Sequence, residues 1–194
     1  MYIKHKYIKQ KLNKYYMSME VCLNSSMQEV ENSAYHTLND TWTLWAHLPH
    51  DTDWSIDSYK KIMDISNVEQ VIELEKTVPD TMVKNCMIFC MRKNILPTWE
   101  DENNRNGGSF SFKIPNNEVY KTWNEVLMTL LTEMMLRDEI MNHNVNGITI
   151  SPKKNFCILK IWLRTTDVQN VKLFNLPYNV DIKSTIFKKH NPEN

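Results

Sequence analysis

The sequence predicts an α+β fold: an antiparallel, curved sheet with helices packed on one face and the other face free to hold a ligand. From residue 36 onward the apolar residues switch repeatedly between period two and period 3.6, which indicates mixed strands and helices. The predicted elements run in the order strand, helix, helical region, two strands, long helix, hairpin, short helix and strand. A length of 194 residues with 42% hydrophobic content suffices for one compact core.

Three strands are predicted in the first two thirds of the chain. Thr41 to Ala46 alternates its side chains, which is typical of a strand with two different faces. Cys86 to Met91 is continuously apolar and predicts a buried strand. Ser109 to Ile114 alternates apolar with polar residues and ends at Pro115, which predicts a half-buried strand.

Two helices are predicted between and after these strands. Ser66 and Glu69 have the spacing of a capping box, in which each side chain satisfies a free N–H of the first helical turn. A longer amphipathic helix is predicted from Asn117 to Leu136, where apolar residues recur at three- and four-residue steps.

The last third predicts a hairpin followed by two short elements. Strands over Gly147 to Ser151 and Phe156 to Thr165 are joined by a turn at residues 152–155. A short helix is expected around Val168 to Phe174, and a last strand over Val180 to Ile186.

Charge and targeting features narrow the function classes. Residues 1–34 show no sustained period and are interpreted as a basic, flexible arm ahead of a single domain at residues 35–194. The net charge is zero, but residues 1–19 hold five lysines and no acid, and residues 137–194 hold nine bases and five acids. These basic segments meet a phosphate-bearing ligand or are simply solvated. The longest apolar run is six residues, far short of the roughly 18 that span a membrane.

The compartment and the cysteines are also predicted. The N-terminus lacks the apolar region and cleavage site of a secretory signal, so a cytoplasmic, reducing location is expected. No Cys-x-x-Cys pair occurs, which argues against a disulfide framework or a zinc site. Buried, inert thiols are expected at Cys22, Cys86, Cys90 and Cys157.

Two of the six tryptophans, Trp54 and Trp99, lie in polar loops, whereas Trp42, Trp45 and Trp123 are expected in the core. An indole in a polar loop is either a lid on a hydrophobic edge or a stacking surface for a flat ligand.

Glu100, next to Trp99, accepts hydrogen bonds only and would select a ring edge with two adjacent N–H donors. Guanine has such an edge, and alkylation at N7 makes its ring cationic, which favours both the indoles and the carboxylate.

Several segments resemble the eukaryotic translation initiation factor 4E family, the mRNA cap-binding proteins. Residues 36–45, HTLNDTWTLW, resemble its H-P-L-x-x-x-W-x-L-W opening, and residues 99–108, WEDENNRNGG, its W-E-D-x-x-N-x-x-G-G segment. Residues 123–127, WNEVL, match its W-x-E-x-L helix pattern, and Gly147 and Trp162 lie at the family's spacing in a hairpin. The resemblance covers residues 36–187 and implies helices on the convex face and a cap-binding slot on the concave face.

The resemblance implies a role for each matched position. Trp54 and Trp99 correspond to the indoles that sandwich 7-methylguanine, Glu100 to the carboxylate on its edge and Trp162 to the indole at the N7-methyl group. Two basic phosphate contacts of the family are replaced here by Ser109 and Ile158. The expected phosphate-binding residues are Lys153, Lys154, Lys160, Lys188 and Lys189, of which Lys153 matches the family's arginine and Lys160 shares the face of Trp162; Lys188 and Lys189 alternatively only keep a sheet edge soluble.

This chain also departs from the family's pattern at the surface that binds partner proteins. Its V-E-x-x-W pattern reads Val68 to Ile72 here, so the tryptophan is lost, and Asn124 and Met128 replace two leucines. The segment before Leu176 is shorter than the family's. Binding of the usual Tyr-x-x-x-x-Leu motif is expected to be altered or lost, or a dedicated partner has a reshaped motif. The expected partner surface comprises His36, Val68, Ile72, Glu125 and Met128.

The resulting expectation is a monomeric, non-enzymatic protein that binds the 5′ 7-methylguanosine cap and recruits capped mRNA for translation initiation. The alternatives are a decoy or repressor that does not engage the usual scaffold, and a fold relative that has lost cap binding. No cofactor and no metal are expected, because His47 and His50 lack a third ligand at a recognisable spacing. The composition, rich in Lys, Asn, Ile and Met, favours a divergent viral or parasite lineage.

Overall fold

A computed structural model describes residues 35–48 and 51–190 of the chain. Within these residues, seven strands form one curved sheet in the order β2-β1-β3-β5-β6-β4-β7, and every neighbouring pair is antiparallel. The α+β prediction is therefore confirmed. The arm at 1–34, together with Cys22 and His50, lies outside the described residues. The strands are β1 (Thr37–His47), β2 (Tyr59–Asn67), β3 (Met87–Arg92), β4 (Gly108–Pro115), β5 (Val145–Pro152), β6 (Phe156–Leu163) and β7 (Ile186–Lys189).

The helices are α1 (Val68–Thr77), α2 (Asp80–Asn85) and α3 (Val119–Leu131), with short 3₁₀ turns at Ile56–Ser58, Glu139–Asn144 and Val171–Leu173. They cover one face of the sheet, where side chains from helices and strands form the main core. The buried indoles of Trp42 and Trp123 belong to this core, as predicted.

A second, smaller apolar cluster lies on the sheet face opposite the helices, which we call the open face. Alternation of side chains along each strand separates the two clusters: in β3, Ile88 and Cys90 face the helices, whereas Phe89 and Met91 face the other way. Ile95 and Trp162 complete this open-face cluster, with Trp45, Tyr59 and Met87 packed against it. Trp45 therefore packs here and not in the main core as predicted.

Several predicted boundaries are wrong, each for a local reason. Helix α1 begins one residue later than the capping box implies, because the Asn67 side chain accepts the bond from Gln70 N. Glu69 instead accepts bonds from His36. Helix α3 ends at Leu131, because the chain turns at Glu133, whose φ is 55°.

The C-terminal predictions also shift. The expected helix over Val168 to Phe174 is only the 3₁₀ turn Val171–Leu173, and the last strand is Ile186–Lys189 instead of Val180 to Ile186. Strand β2 was not predicted, because its first half combines exposed lysines with partly buried residues and gives no clear period of two.

A charged cluster fixes the end of β3. The buried guanidinium of Arg92 donates to both carboxylate oxygens of Glu133 at 2.6 Å and to Asp40 at 2.5 Å. Its remaining donors bond the backbone carbonyls of Val145 and Asn142. Burial alone would lower the pKa of Arg92, but the two carboxylates outweigh it and raise the pKa. Arg92 thus joins four segments at the start of the β3–β4 loop.

Candidate functional site

The indole of Trp54 lies on the loop between β1 and β2 and is 56% exposed. It stacks on the imidazole of His47, with ring centroids 4.4 Å apart and an angle of 4° between the planes. His47 is buried and Nε2 donates to the Asp53 carbonyl at 2.8 Å. Asp53 in turn accepts bonds from the backbone N–H and the hydroxyl of Ser55, which lower the pKa of its carboxyl. The loop is therefore tied to β1, and Trp54 has a defined orientation.

Tyr59 connects this pair to the rest of the open face. Its ring contacts His47 edge-on at 5.1 Å and Phe89 at 5.4 Å. Burial raises the pKa of the Tyr59 hydroxyl, and the negative charge of Glu100 raises it further. The Glu100 charge therefore acts on Tyr59, which packs against the open-face cluster and contacts His47.

The loop from residue 93 to 107 holds Trp99 and Glu100. Its anchor is Asn104, which is fully buried and donates to the carbonyls of Leu96 and Thr98 at 3.0 and 2.8 Å. Asp101 accepts from the Leu96 N–H across the same loop. Trp99 remains 48% exposed on this fixed backbone. Its indole is thus presented to solvent by a loop whose polar groups are satisfied internally.

Trp162 lies on β6 in the open-face cluster and is 7% exposed. Its Nε1–H donates to the hydroxyl of Thr149 on the neighbouring strand at 2.7 Å. Gly147, paired with Trp162 and Met91, leaves no room for a side chain, since a Cβ there would lie 2.3 Å from the Cys90 carbonyl oxygen. The backbone is therefore closely packed beneath Trp162.

Lysines gather beside Trp162. In the antiparallel register Ser109 pairs with both Trp162 and Lys188, and Ser111 pairs with Lys160, so these side chains share the open face. Burial lowers the pKa of Lys160, and the positive charges of Lys153 and Lys188 lower it further. Lys153 and Lys188 therefore each lie within electrostatic reach of Lys160.

The other two expected cations have different surroundings. Lys154 joins Lys153 in a pocket of about 530 Å³ that also includes Trp54, His47 and Lys84. Lys189 follows Lys188 along β7 and so points to the opposite face. It shares that face with Phe187, which packs against the main core on the helix side. Lys189 is therefore directed away from the open face.

Three aromatic side chains contact the predicted site residues or one another, but the sequence did not predict these contacts. They are His47, Tyr59 and His190. His47 is two residues after Trp45 and therefore shares its face of β1, but the contact of His47 with Trp54 depends on the fold of the loop. Cys86, Cys90 and Cys157 are buried as predicted, and burial raises the pKa of the Cys86 thiol to about 12.

The expected partner surface is on the helix side. Val68 and Ile72 are 40% and 47% exposed on α1. Next to Val68 along the helix, the Glu69 carboxylate accepts a hydrogen bond from Nδ1 of His36 at 2.8 Å. Asn124 and Met128 of α3 line a narrow groove together with Leu74 and Glu75 of α1. Glu125 is paired with Lys121 at 3.8 Å along the helix.

The described residues form an α+β protein whose open face has Trp162, Lys160 and Lys188, with the exposed indoles of Trp54 and Trp99 on two loops. Within residues 35–48 and 51–190, no group of three His, Cys, Asp or Glu side chains is placed to hold a metal ion. No helix in that part of the chain is long and apolar enough to cross a membrane. The family model of eukaryotic initiation factor 4E matches residues 37–191, and the chain belongs to this family.

Curated relatives show the same kinship at modest identity. Translation initiation factor 4E of Eremothecium gossypii is 28% identical over 137 residues, which are 67% of this chain and 63% of that protein. The factor of Saccharomyces cerevisiae is 26% identical over 141 residues, with 68% and 63% covered. A homologue from Acanthamoeba polyphaga mimivirus is 31% identical over 91 residues, with 47% and 33% covered. The chain thus spans about 63% of the length of the two fungal relatives.

Solved structures agree in fold. Initiation factor 4E-3 of Ascaris suum with an m7G cap has a TM-score of 0.63 and 21% identity, covering 72% of this chain and 79% of that chain. The complex of initiation factor 4E-3 of C. elegans with the 4E-binding protein Mextli and a cap analogue has a TM-score of 0.69 and 21% identity, covering 81% and 94%. At these identities the likeness concerns the fold.

Proposed function

We propose that this protein binds the 5′ 7-methylguanosine cap of mRNA and recruits capped mRNA for translation. The observation that carries the proposal is the pair of exposed indoles, Trp54 and Trp99, on loops whose backbones are held by internal hydrogen bonds at the open face. Membership of the initiation factor 4E family supports it, as does the cap bound to the Ascaris suum protein of the same fold.

Recognition of the base rests on charge and stacking. The cationic ring of 7-methylguanine is attracted to the negative faces of two indoles, and each stacked aromatic contributes about 1–3 kcal/mol. Glu100 accepts the N1–H and the exocyclic amine of guanine, and the N–H of the Trp99–Glu100 peptide donates to O6. Trp162 contacts the N7-methyl group from the floor of the site. Adenine has no such pair of donors on that edge and is rejected.

Recognition of the phosphates rests on lysines instead of the arginines of the family. Lys153 and Lys160 are within reach of each other's charge, and Lys188 joins Lys160 beside Trp162. Their mutual repulsion is relieved when a triphosphate binds, which favours an anion over a neutral nucleoside. Lys154, in the pocket next to Trp54, extends this cationic side of the slot.

A partner is proposed for the helix side. Val68 and Ile72 leave an apolar patch exposed on α1, which a helix from a scaffold or repressor covers in part. The C. elegans protein of similar fold is bound to the 4E-binding protein Mextli. The protein acts in the cytoplasm by binding, without catalysis.

A second role, that of a cap-holding decoy or repressor, is favoured by two features of the same side. Ile72 has replaced the family's tryptophan, and only a three-residue 3₁₀ turn, Val171–Leu173, lies between β6 and Leu176. Both reduce the area available to a scaffold helix. A pull-down with a scaffold peptide separates the two roles, because a decoy retains cap binding and lacks scaffold binding.

The primary test is a tryptophan-fluorescence titration with 7-methyl-GTP and, in parallel, with GTP. We expect strong quenching by the methylated nucleotide and weak quenching by GTP. The Trp99→Ala variant serves as the matched control, because it removes one stacking face. Absence of quenching with either nucleotide would overturn cap binding and leave a fold relative that acts through its helix side.

A further inference from the structure

The imidazole of His190 lies beside the proposed phosphate subsite, and nothing above assigns it a role. It follows β7 and packs against the Trp162 indole, with ring centroids 4.8 Å apart and planes 50° apart. Its ring Nδ1–H donates to the backbone carbonyl of Asn104 at 2.8 Å, and the backbone N–H of His190 donates to the Gly107 carbonyl at 3.1 Å. The ring orientation is therefore fixed from both sides by the loop that holds Trp99.

The second ring nitrogen of His190 has no hydrogen-bond partner in the part of the chain that the structure describes. Because Nδ1 donates to a carbonyl, the neutral ring has a bare acceptor at Nε2. Nε2 is buried and forms no hydrogen bond with any of the described residues. A buried polar atom without a partner is uncommon in native proteins, and it is typically satisfied by a ligand or by water. The geometry thus presents an unused nitrogen next to Trp162.

The charges around His190 are positive on both neighbouring strands. Burial lowers the pKa of His190 below its usual value of 6.5, and Lys160 on β6 and Lys188 on β7 lower it further, whereas the bond to Asn104 raises it. In the absence of ligand the imidazole is therefore mostly neutral at pH 7. A phosphate placed between these lysines reverses the sign of the local field and favours the imidazolium.

We propose that His190 is a further phosphate-binding residue of the cap site, which takes up one proton from solvent when the phosphate bridge of capped RNA binds beside Lys160 and Lys188. In the bound state Nδ1–H remains on the Asn104 carbonyl, and the new Nε2–H donates to a phosphate oxygen. This rests on the proposed function, because it requires the cap to occupy this face. It adds a cation beside Lys160 and Lys188, in a site where Ser109 and Ile158 replace two basic residues of the family.

The sign of the pH effect follows from reciprocal linkage. If phosphate binding raises the pKa of His190, then protonation of His190 strengthens phosphate binding by the same factor. Affinity for the phosphate-containing ligand therefore increases as pH falls from 8 toward 6. Uptake of one proton limits the change to about tenfold per pH unit. The N1–H of 7-methylguanine titrates near neutral pH in the nucleoside and in the nucleotide alike, so the gain assigned to His190 is the additional gain of the phosphate-containing ligand over the nucleoside.

The test compares 7-methylguanosine with the dinucleotide m7GpppG by calorimetry between pH 5.5 and 8. Both ligands carry the same methylated base, and the triphosphate bridge of the dinucleotide has no terminal phosphate to titrate, so the affinity ratio isolates the phosphate subsite. Titrations in two buffers of different ionisation enthalpy count the protons taken up. We expect m7GpppG to take up close to one proton more than 7-methylguanosine near pH 7, and an affinity ratio that increases at lower pH.

Two variants and one control complete the design. His190→Gln keeps a polar side chain without a titratable group, and His190→Phe keeps the ring contact with Trp162. Both should abolish the additional proton uptake of m7GpppG and make the affinity ratio independent of pH, while 7-methylguanosine still binds. Lys189→Gln, on the opposite strand face, should leave the pH dependence of the wild type unchanged.

The outcomes separate the inference from the proposed function. If 7-methylguanosine binds but the ratio has the same pH dependence in wild type and His190→Gln, the role of His190 is refuted while cap binding stands. If neither ligand binds the wild type, cap binding itself fails, and the role of His190 is refuted with it. An NMR titration of the His190 ring gives the direct check, with a pKa below 6.5 in the free protein and higher with m7GpppG.

Discussion

The imidazole of His47 and the indole of Trp54 are parallel within 4°, with their centroids 4.4 Å apart. One face of Trp54 is therefore covered by a buried side chain, and the side chain remains 56% exposed. His47 is itself fixed by the Asp53 carbonyl and the edge of Tyr59. The stacking surface is thus ordered before a ligand arrives, which lowers the entropic cost of binding.

The first prediction concerns this stack. His47→Ala should weaken 7-methyl-GTP binding by about 1 kcal/mol, roughly fivefold, because the Trp54 indole loses the stacking contact that orders it. His47→Phe keeps a flat ring behind Trp54 and should bind nearly as well as the wild type. Fluorescence titration gives both affinities, and thermal unfolding checks that each variant is folded. Equal affinity of the wild type and His47→Ala would refute pre-ordering by His47.

The second prediction concerns Trp99. Trp99→Ala should cost about 1–3 kcal/mol of affinity for 7-methyl-GTP, or roughly fivefold to 150-fold, because one stacked face is lost. Trp99→Phe should recover part of this loss. Because Trp99 is 48% exposed, unfolding in urea should be little changed by either substitution. A Trp99→Ala variant with wild-type affinity would exclude the sandwich.

The third prediction concerns base selectivity. Glu100→Gln replaces one acceptor oxygen by a donor and should cost about 2–5 kcal/mol for 7-methyl-GTP when the charged pair is desolvated in the complex. Binding of a methylated adenine nucleotide should be much less affected. The matched control is Glu102→Gln, two residues along the same loop. Equal losses for guanine and adenine ligands would show that Glu100 acts through general charge only.

The fourth prediction concerns the phosphates. Lys153→Ala should weaken binding of 7-methyl-GTP more than binding of 7-methylguanosine, because only the nucleotide has a phosphate chain to contact. It should also reduce the dependence of affinity on salt concentration, since one cation fewer neutralises the ligand. Lys189→Ala serves as the control on the opposite face. Equal losses for nucleotide and nucleoside would refute a phosphate role for Lys153.

The fifth prediction concerns stability. Arg92→Ala should lower the free energy of unfolding by about 3–5 kcal/mol, because it leaves the partly buried Glu133 carboxylate without its cation. The Lys121→Ala substitution, which removes an exposed pair with Glu125 at 3.8 Å, should cost less than about 1 kcal/mol. Urea unfolding measures both. Similar small losses in the two variants would show that the Arg92 cluster is not a structural anchor.

Sequence patterns predicted best where local alternation decides the structure. The alternation in Ser109 to Ile114 was matched by β4 and its two faces, and the long apolar stripe by α3. Strand β2 was missed because it lies at the sheet edge, where side chains on both faces are partly exposed and no period stands out. The end of α3 was missed because it depends on the turn at Glu133, whose side chain is held by the distant Arg92.

The sequence by itself determined the α+β class, the family and the loop positions of Trp54, Trp99 and Glu100, because these features depend on neighbours close along the chain. The tertiary structure alone decided which groups converge. Sequence reasoning left Lys154, Lys160, Lys188 and Lys189 as candidates. The register of β4, β6 and β7 places Lys160 and Lys188 beside Trp162, and Lys189 on the opposite face. His190 contacts Asn104 across 86 residues of chain, and no local pattern specifies such a contact.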